Sequence, residues 1–504
     1  MKKYLIRFLL LLCLRGFLFA QIGIAQQNAN EDDEDTYTGR IVICFSYDLV
    51  QNTRGDFPIT KENEIIKTPF EKFNIIARDY NIIELQQLHR VKDTEWNQNG
   101  RYPMNVFAIT TLDKNRNDEL ISVLEADKDI LFAELEVIHK TSLIPNDPMH
   151  IQQWALEKIQ AYNAWDIQPG GSEYIIIGIV DSGVKWNHPD LQANMWINEA
   201  ELPGITINWE NGTITGGDGI DNDGNGYVDD VLGWDFYSVA GGGQDNNPFQ
   251  NLEGSDHGTH VAGCAAAVGM NSIGVIGPAF NVKILATKHS PYNVSSTSIY
   301  NGYNGIYYMA DTGAHIINCS WGGLGGANLA NLAVSYAKSQ GSLVVVSAGN
   351  GDISGNPYNM DDTSYYPACA TDAFTVAATT SIDIRTSWSN YGNAVDISSP
   401  GQSILAPTFS SAGANNYGSK SGTSMSSPIV AGVAALILSQ NPALTVEELS
   451  DILRWGGDPI DHLNLPIFIG KMGSGRVNAL NSVNMAFPAN YDLVARTITS
   501  STNL

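Results

Sequence analysis

The sequence predicts an α/β protein: a doubly wound, mostly parallel sheet with helices on both faces, preceded by a small α+β module. Three observations carry that reading. From about residue 150, short unbroken β-branched runs recur: YIIIGIVD, VKILATK, AHIINCSW, GSLVVVSAGN and AFTVAA. Runs without polar alternation fit strands buried on both faces. Between them lie helical stretches such as HGTHVAGCAAAVG, SIYNGYNGIYYMADTG and ANLANLAVSYAKSQ, and strand–helix alternation marks a doubly wound sheet. The pattern before residue 140 is different, and TSLIPNDPMH, with its two prolines, reads as the linker between the two regions.

Taken in order, the chain opens on MKKYLIR, a basic start, then FLLLLCL, an apolar run, then FLFAQIGIA, a small-residue exit after Ala20 or Ala25. This is the layout of a secretory signal, assigned here to residues 1–25. Arg15 interrupts the apolar run, which argues against a spanning helix. Leu12 stands where a lipoprotein signal carries a small residue before its cysteine, here Cys13. No later segment reads as long and apolar enough to span a membrane. QQNANEDDEDTY is polar and acidic, the composition of a disordered stretch. Then RIVICFSY reads as a strand, PFEKFNIIARDY as an amphipathic helix, NVFAITTL as a strand, NDELISVLEADKD as a helix and ILFAELEVIHK as a strand. Residues 486–504 are too short for a further domain.

A formal charge of −25 over 504 residues excludes a phosphate-binding surface and hence nucleic acid as partner. Clustered carboxylates point instead to cations. Of five cysteines, Cys13 belongs to the signal and Cys44 to the N-terminal module, leaving Cys264, Cys319 and Cys369. An odd remainder permits one bridge at most. Cys264 and Cys319, inside apolar runs, read as buried free thiols.

In open α/β sheets, function gathers beyond the carboxyl ends of the strands. The polar residues found there are Asp181, closing YIIIGIVD, and Asn350, closing VVVSAGN. His257 opens the small-residue helix HGTHVAG, with His260 as its rival, and Ser424 lies in GTSMSSP at the head of another apolar helix. These residue types share a purpose. A serine hydroxyl becomes a nucleophile when an imidazole takes its proton, and a carboxylate fixes the tautomer of that imidazole. An Asn amide can donate to an oxyanion. A zinc reading of HGTH fails on spacing, since no Glu follows the first His.

DSGVKWNHPDL, HGTHVAG, VVVSAGN and GTSMSSPIVAGVAAL, in this order, resemble the signatures of the subtilisin-like serine proteases; their Asp–His–Ser order is that family's. KMGSGRVNA is similar to the family's closing motif. The resemblance spans about residues 145–485. It implies Asp181 as orienting acid, His257 as general base, Ser424 as nucleophile and Asn350 as oxyanion donor. It favours His257 over His260, which is left to pack or to bond backbone. Ser419 and Ser421 become loop residues, Ser426 and Ser427 first-turn residues. It further implies a propeptide over 26–143, cut near 141–146, and a peptidase domain over 144–485.

DNDGNGYVDD spaces Asp221, Asp223 and Asn225 alternately before Gly226, as in the calcium loop D-x-[DN]-x-[DN]-G. Leu232 stands where a bidentate Glu closes that loop, so Asp229 or Asp230 must do so, with the Tyr227 carbonyl. PNDPMHIQQW is similar to the mature N-terminus of thermitase-like members, and that resemblance alone implies a second structural Ca2+ site from Asp147, Asp190 and Asn271. Protein or peptide substrate is expected to bind as an added strand, with Ser320, Trp321 and Gly322 lining the groove. No acidic residue marks the pocket base, so broad cleavage after apolar or aromatic residues is expected. The whole reads as a secreted, monomeric, calcium-stabilised endopeptidase with its propeptide as internal inhibitor. The competing class, an inactive relative serving as a binding or surface protein, is disfavoured because every triad position is present.

Overall fold

The computed structural model describes residues 37–46, 49, 58–88, 106–137, 143–237, 243–252, 254–291, 298–410 and 414–487. The expected signal segment and most of the C-terminal tail lie outside these residues, as do 138–142 at the start of the expected cleavage zone. The chain divides into two units, Met1–Thr141 and Ser142–Leu504.

The first unit contains β1 (Tyr37–Phe45), a hairpin of β2 (Thr60–Glu62) and β3 (Ile65–Lys67), α1 (Glu71–Asp79), β4 (Ile82–Gln87), β5 (Val106–Thr111), α2 (Asn117–Glu125) and β6 (Ile130–Val137). Its antiparallel sheet runs β4-β5-β1-β6. Ile41, Ile43 and Phe45 of β1 form a core with Phe73 and Ala77 of α1 and Leu120 and Leu124 of α2. The sequence reading found three of these four sheet strands. It missed β4, an edge strand that buries only Ile82 and Leu85 and otherwise carries polar or partly exposed residues, so neither an apolar run nor strict alternation announces it.

The second unit begins with α3 (Trp154–Lys158), α4 (Ala161–Trp165), β7 (Ile176–Asp181), a hairpin of β8 (Ile205–Asn208) and β9 (Thr213–Gly216), β10 (Gly233–Asp235), α5 (His257–Ala266) and β11 (Lys283–Lys288). It continues with α6 (Gly302–Asp311), β12 (Ile316–Cys319), β13 (Gly323–Leu324), α7 (Ala327–Ser339), β14 (Leu343–Ser347), β15 (Tyr365–Tyr366), β16 (Phe374–Thr379) and β17 (Ile397–Pro400). The hairpin of β18 (Ile404–Phe409) and β19 (Asn415–Lys420), then α8 (Thr423–Gln440), α9 (Val446–Trp455) and α10 (Ala479–Met485) complete it.

The main sheet has seven strands in the order β10-β11-β7-β12-β14-β16-β17, and every neighbouring pair is parallel. β14 and β16 are buried along their whole length, as their unbroken β-branched runs require. From β7 the chain runs to the edge strand β10, returns inward to β11 beside β7, and then crosses to β12 on the other side of β7. That reversal opens a crevice at the carboxyl ends of β7 and β12, where open α/β sheets hold their ligands.

α8 corrects one expectation. It meets the length and composition of a membrane-crossing helix, yet 89% of its apolar window is buried inside the protein. It is the central core helix, apolar all round. Its approach to α5 depends on Gly432, where a Cβ would stand 2.6 Å from the Ala265 carbonyl oxygen. Ser419, expected in a loop, lies in β19, because Gly and Ser neighbours conceal a hairpin strand from a reading based on β-branched content.

Candidate active site

Asp181 ends β7, and its side chain is fully buried. Its Oδ1 accepts the Ser182 N–H at 2.7 Å and meets His257 Nδ1 at 2.8 Å. Ser182 locks the two elements together: its hydroxyl donates to the Ser255 carbonyl and accepts the Gly258 N–H, next to His257. The glycine at 258 is needed for this approach, since a Cβ there would fall 2.4 Å from the Gly183 carbonyl oxygen and 3.1 Å from Asp181 Cβ. Burial alone would lower the His257 pKa; the Asp181 carboxylate, by charge and hydrogen bond, outweighs it and holds the imidazole above its ordinary value. Lys420 opposes that rise from β19, and Asp256, its partner at 3.0 Å, adds to it.

Ser424 stands in the first turn of α8 and lines the same cleft as His257, Asn350 and Thr423. Its Oγ donates to the Ser320 carbonyl at 3.1 Å. The local sequence explains how the serine is held. Pro428 has no N–H to give the carbonyl one helical turn back, and that carbonyl belongs to Ser424. It takes the Ser320 hydroxyl instead, at 2.9 Å. Ser320 Oγ also accepts from Asn318 Nδ2 and meets Ser427 Oγ. Of the expected substrate-lining residues, Ser320 lines the cleft with its hydroxyl committed to the fold. Trp321 donates Nε1 to the Val180 carbonyl at 2.9 Å, and Gly322 lines the cleft wall.

Asn350 is oriented by the helix it faces. Its Oδ1 accepts both the Thr423 N–H, at 2.9 Å, and the Thr423 hydroxyl, at 3.0 Å. The amide is therefore fixed with Nδ2 as its remaining donor, and Asn350 lines the cleft. His260 is buried apart from these groups. Nε2 lies 3.0 Å from the carbonyls of Ile404 and Gly418, and Nδ1 lies 3.4 Å from Cys264 Sγ. Burial first, with Lys420 adding, pushes its pKa down to about 3. A neutral ring tying α5 to the β18–β19 hairpin is a structural histidine. Cys44, Cys264, Cys319 and Cys369 are all free thiols, the first three buried.

In the acidic loop, carboxylate oxygens of Glu201, Asp223 and Asp230 lie within 4.8 Å of one another. Asp223 and Asp230 were read from the sequence; Glu201 was not, because it sits in INEAELPG, outside the loop and without spacing to it. Its fully buried carboxylate accepts the N–H groups of Asp223, at 3.1 Å, and Asp229, at 2.8 Å, and so folds the loop back on itself. Burial raises Asp230 to about 6, with Asp223 adding like charge against the Tyr308, Asn225 and Asn198 hydrogen bonds. The other expected ligands are placed differently. Asp221 accepts the N–H groups of Gly224, Asn225 and Gly226. Asn225 donates Nδ2 to both Asp223 and Asp230. The Tyr227 ring packs on Tyr308, Trp234 and Phe236. The Asp229 carboxylate lies outside the group, with its Oδ1 buried and without a hydrogen-bond partner. A crowded set of hard oxygens, two of its carboxylates fully buried, fits a divalent cation.

The structure also gathers Asp147, Asp190 and Asn271. Asp147 accepts the N–H groups of Met270 and Asn271, and Asn271 Nδ2 donates to Asp190 at 2.9 Å. Both carboxylates are fully buried. Burial lifts the Asp190 pKa, and the like charge of Asp147 adds to it.

Comparison with known proteins agrees with this architecture. Residues 172–457 match the model of the subtilase family, Peptidase_S8. The chain is 36% identical to thermitase of Thermoactinomyces vulgaris over 346 residues, 67% of this chain and 99% of that protein. It is 32% identical over 372 residues to an extracellular protease of Xanthomonas campestris, covering 70% of this chain and 59% of that protein. Among solved structures, a protease of Pseudoalteromonas arctica superposes with a TM-score of 0.54 at 26% identity, over 68% of this chain and 99% of that one. With the signatures in order along the chain, the sheet topology they require and a family match over more than half its length, this chain belongs to the subtilase family and is a serine protease.

Proposed function

We propose that the chain is a secreted, calcium-stabilised endopeptidase, made as a zymogen, that cleaves peptide bonds through Asp181, His257 and Ser424. The observation that carries this reading is His257 Nδ1 held 2.8 Å from a buried carboxylate, in a cleft shared with a serine at a helix N-terminus. Nδ1–H donates to Asp181, which leaves the Nε2 lone pair for the cleft. In the reaction Ser424 Oγ leaves the Ser320 carbonyl and gives its hydrogen bond to that lone pair across the shared cleft. Oγ then attacks the substrate carbonyl carbon as its proton passes to Nε2, and Asp181 stabilises the imidazolium. Asn350 Nδ2 and the N–H of Ser424, at the positive end of α8, receive the oxyanion. His257 returns the proton to the leaving amine, and water repeats the cycle on the acyl-enzyme. A fluorophosphonate probe should label Ser424 alone, as mapped by peptide mass spectrometry; labelling elsewhere, or none, defeats the assignment.

The propeptide, residues 26–143, is built on the folded core of the first unit and inhibits until it is cut, and a signal over 1–25 directs secretion. Its separate core and the extracellular character of a relative support this. Calcium bound at Glu201, Asp223 and Asp230, and at Asp147, Asp190 and Asn271, would neutralise buried like charges that otherwise oppose folding. Chelation is expected to lower the melting temperature of the mature enzyme by roughly 4 °C for each site emptied, the shift for a domain of this size and a ligand held at about 100 times its Kd. Glu201→Gln should remove part of that difference. An unchanged melting curve with and without chelator would exclude a structural cation.

The pH profile follows from the site's charges. The base must be neutral to accept the Ser424 proton, and its pKa is raised, so the acid limb of kcat/KM is expected above pH 6.5, the ordinary imidazole value of about 6.5. Lys420→Ala removes a charge that lowers it and leaves Asp256, which raises it; the acid limb should move further up. A shift downward would contradict this arrangement.

A further inference from the structure

We infer that Tyr365 determines specificity by closing the pocket beside Ser424, so that the residue donating the scissile carbonyl must have a small side chain. This rests on the reading of Ser424 as nucleophile and Asn350 as oxyanion donor. A carbonyl carbon at Ser424 Oγ with its oxygen toward Asn350 Nδ2 places its own residue against the two backbone segments that flank those groups. They are Ser320–Gly322 and Gly349–Asn350, both lining the cleft. The side chain of that residue must enter the space between them.

One ring stands between those walls, at one end of an otherwise open cleft. Tyr365, on β15, also lines the cleft. A Cβ built on Gly322 would stand 2.4 Å from Tyr365 Cε1, and one built on Gly349 would stand 2.8 Å from the same atom. One edge of the tyrosine ring therefore touches both walls, and each wall is glycine where it meets that edge. The ring is also fixed in place. Its hydroxyl donates to the Gly322 carbonyl at 2.8 Å. Its backbone pairs with Leu324, and that of Tyr366 with Gly323, in the β13–β15 ladder. Tyr358 stacks on it with ring centroids 6.3 Å apart. A flat apolar side chain of substrate would need the volume this ring occupies, and moving the ring would break the hydroxyl's hydrogen bond and the ring contacts together. Gly, Ala and Ser need no such displacement. This replaces the expectation of broad cleavage after apolar or aromatic residues.

The test uses the secreted, matured enzyme and three forms: wild type, Tyr365→Gly and Tyr365→Phe. Fluorophosphonate titration first counts competent sites, independently of the pocket. Tetrapeptide p-nitroanilides ending in Ala or Phe then give kcat/KM per titrated site. Wild type should favour Ala. Tyr365→Gly should raise the Phe-to-Ala ratio on the order of a hundredfold, the range open to a hydrophobic pocket. Tyr365→Phe keeps the ring and should keep the wild-type order. Wild type that titrates fully yet prefers Phe overturns the inference while leaving the nucleophile assignment intact. So does a Tyr365→Gly form that titrates fully with an unmoved ratio. Wild type that does not titrate defeats the proposed chemistry and this inference with it. If Tyr365→Gly fails to fold, mass-spectrometric mapping of wild-type cuts in a denatured protein still decides: cuts after Gly, Ala and Ser support the inference, and cuts after Phe, Tyr and Leu overturn it.

Discussion

Ser424→Ala is expected to abolish both maturation and turnover. The intact mass of the secreted product should then include the segment up to about residue 143, while wild type loses it. Turnover should fall by about 10⁶ in kcat, a scale established for subtilisin, the namesake of this family, rather than obtained from this chain. The physical reason lies in the divided duties of the α8 start. The Ser424 carbonyl, freed by Pro428, is taken by Ser320, and its hydroxyl alone is available to attack. Alanine keeps the helix, the Asn350 orientation and the cleft wall, so the melting temperature should stay within a few degrees of wild type. Wild type and Ser424→Ala trimmed alike would show that another protease performs the cut.

Asp181→Asn is the second large effect, expected to lower kcat by about 10⁴ while leaving the fold intact. Asp181 Oδ1 accepts from both Ser182 and His257, and an asparagine oxygen could hold the same place. What is lost is the charge. With it gone, burial governs His257 and its pKa falls below the wild-type value. The residual activity should therefore show an acid limb shifted to lower pH, opposite in sign to Lys420→Ala. The amide nitrogen would also occupy the Asp181 Oδ2 position, buried and without a hydrogen-bond partner, which adds a stability cost of about 1–3 kcal/mol. A variant with near-normal kcat, or an acid limb moved up, would show that the carboxylate charge is not what supports the base.

Five of the seven main-sheet strands were legible because a long parallel strand buried on both faces writes itself as an unbroken apolar run, whereas the short β10 (GWD) and the buried but serine-containing β17 (ISSP) did not. β7, β11, β12, β14 and β16 each do so. Strands with one exposed face or small residues wrote nothing comparable, which is why β4 and β19 went unread. At the site, Asp181, His257, Asn350 and Ser424 stood out because each is a polar residue abutting an apolar element, an arrangement costly without a purpose. The acidic loop was legible as a concentration of oxygens, but not as a ligand set. Its loop carboxylates divide between holding backbone N–H groups and converging with a glutamate from upstream.

The sequence by itself determined the chemistry: which side chains can exchange a proton and which strands must be buried, because these depend on residue type and local spacing. Only the tertiary structure decided what each group spends its hydrogen bonds on. Ser320 is committed to the carbonyl that Pro428 leaves open, His260 to two backbone carbonyls, and Glu201 to closing a loop it does not belong to. It also decided the shape of the cleft, where Tyr365 lies against Gly322 and Gly349. These three residues sit far apart or out of phase along the chain. Steric exclusion among them is a property of the three-dimensional contact, and no one-dimensional pattern carries it.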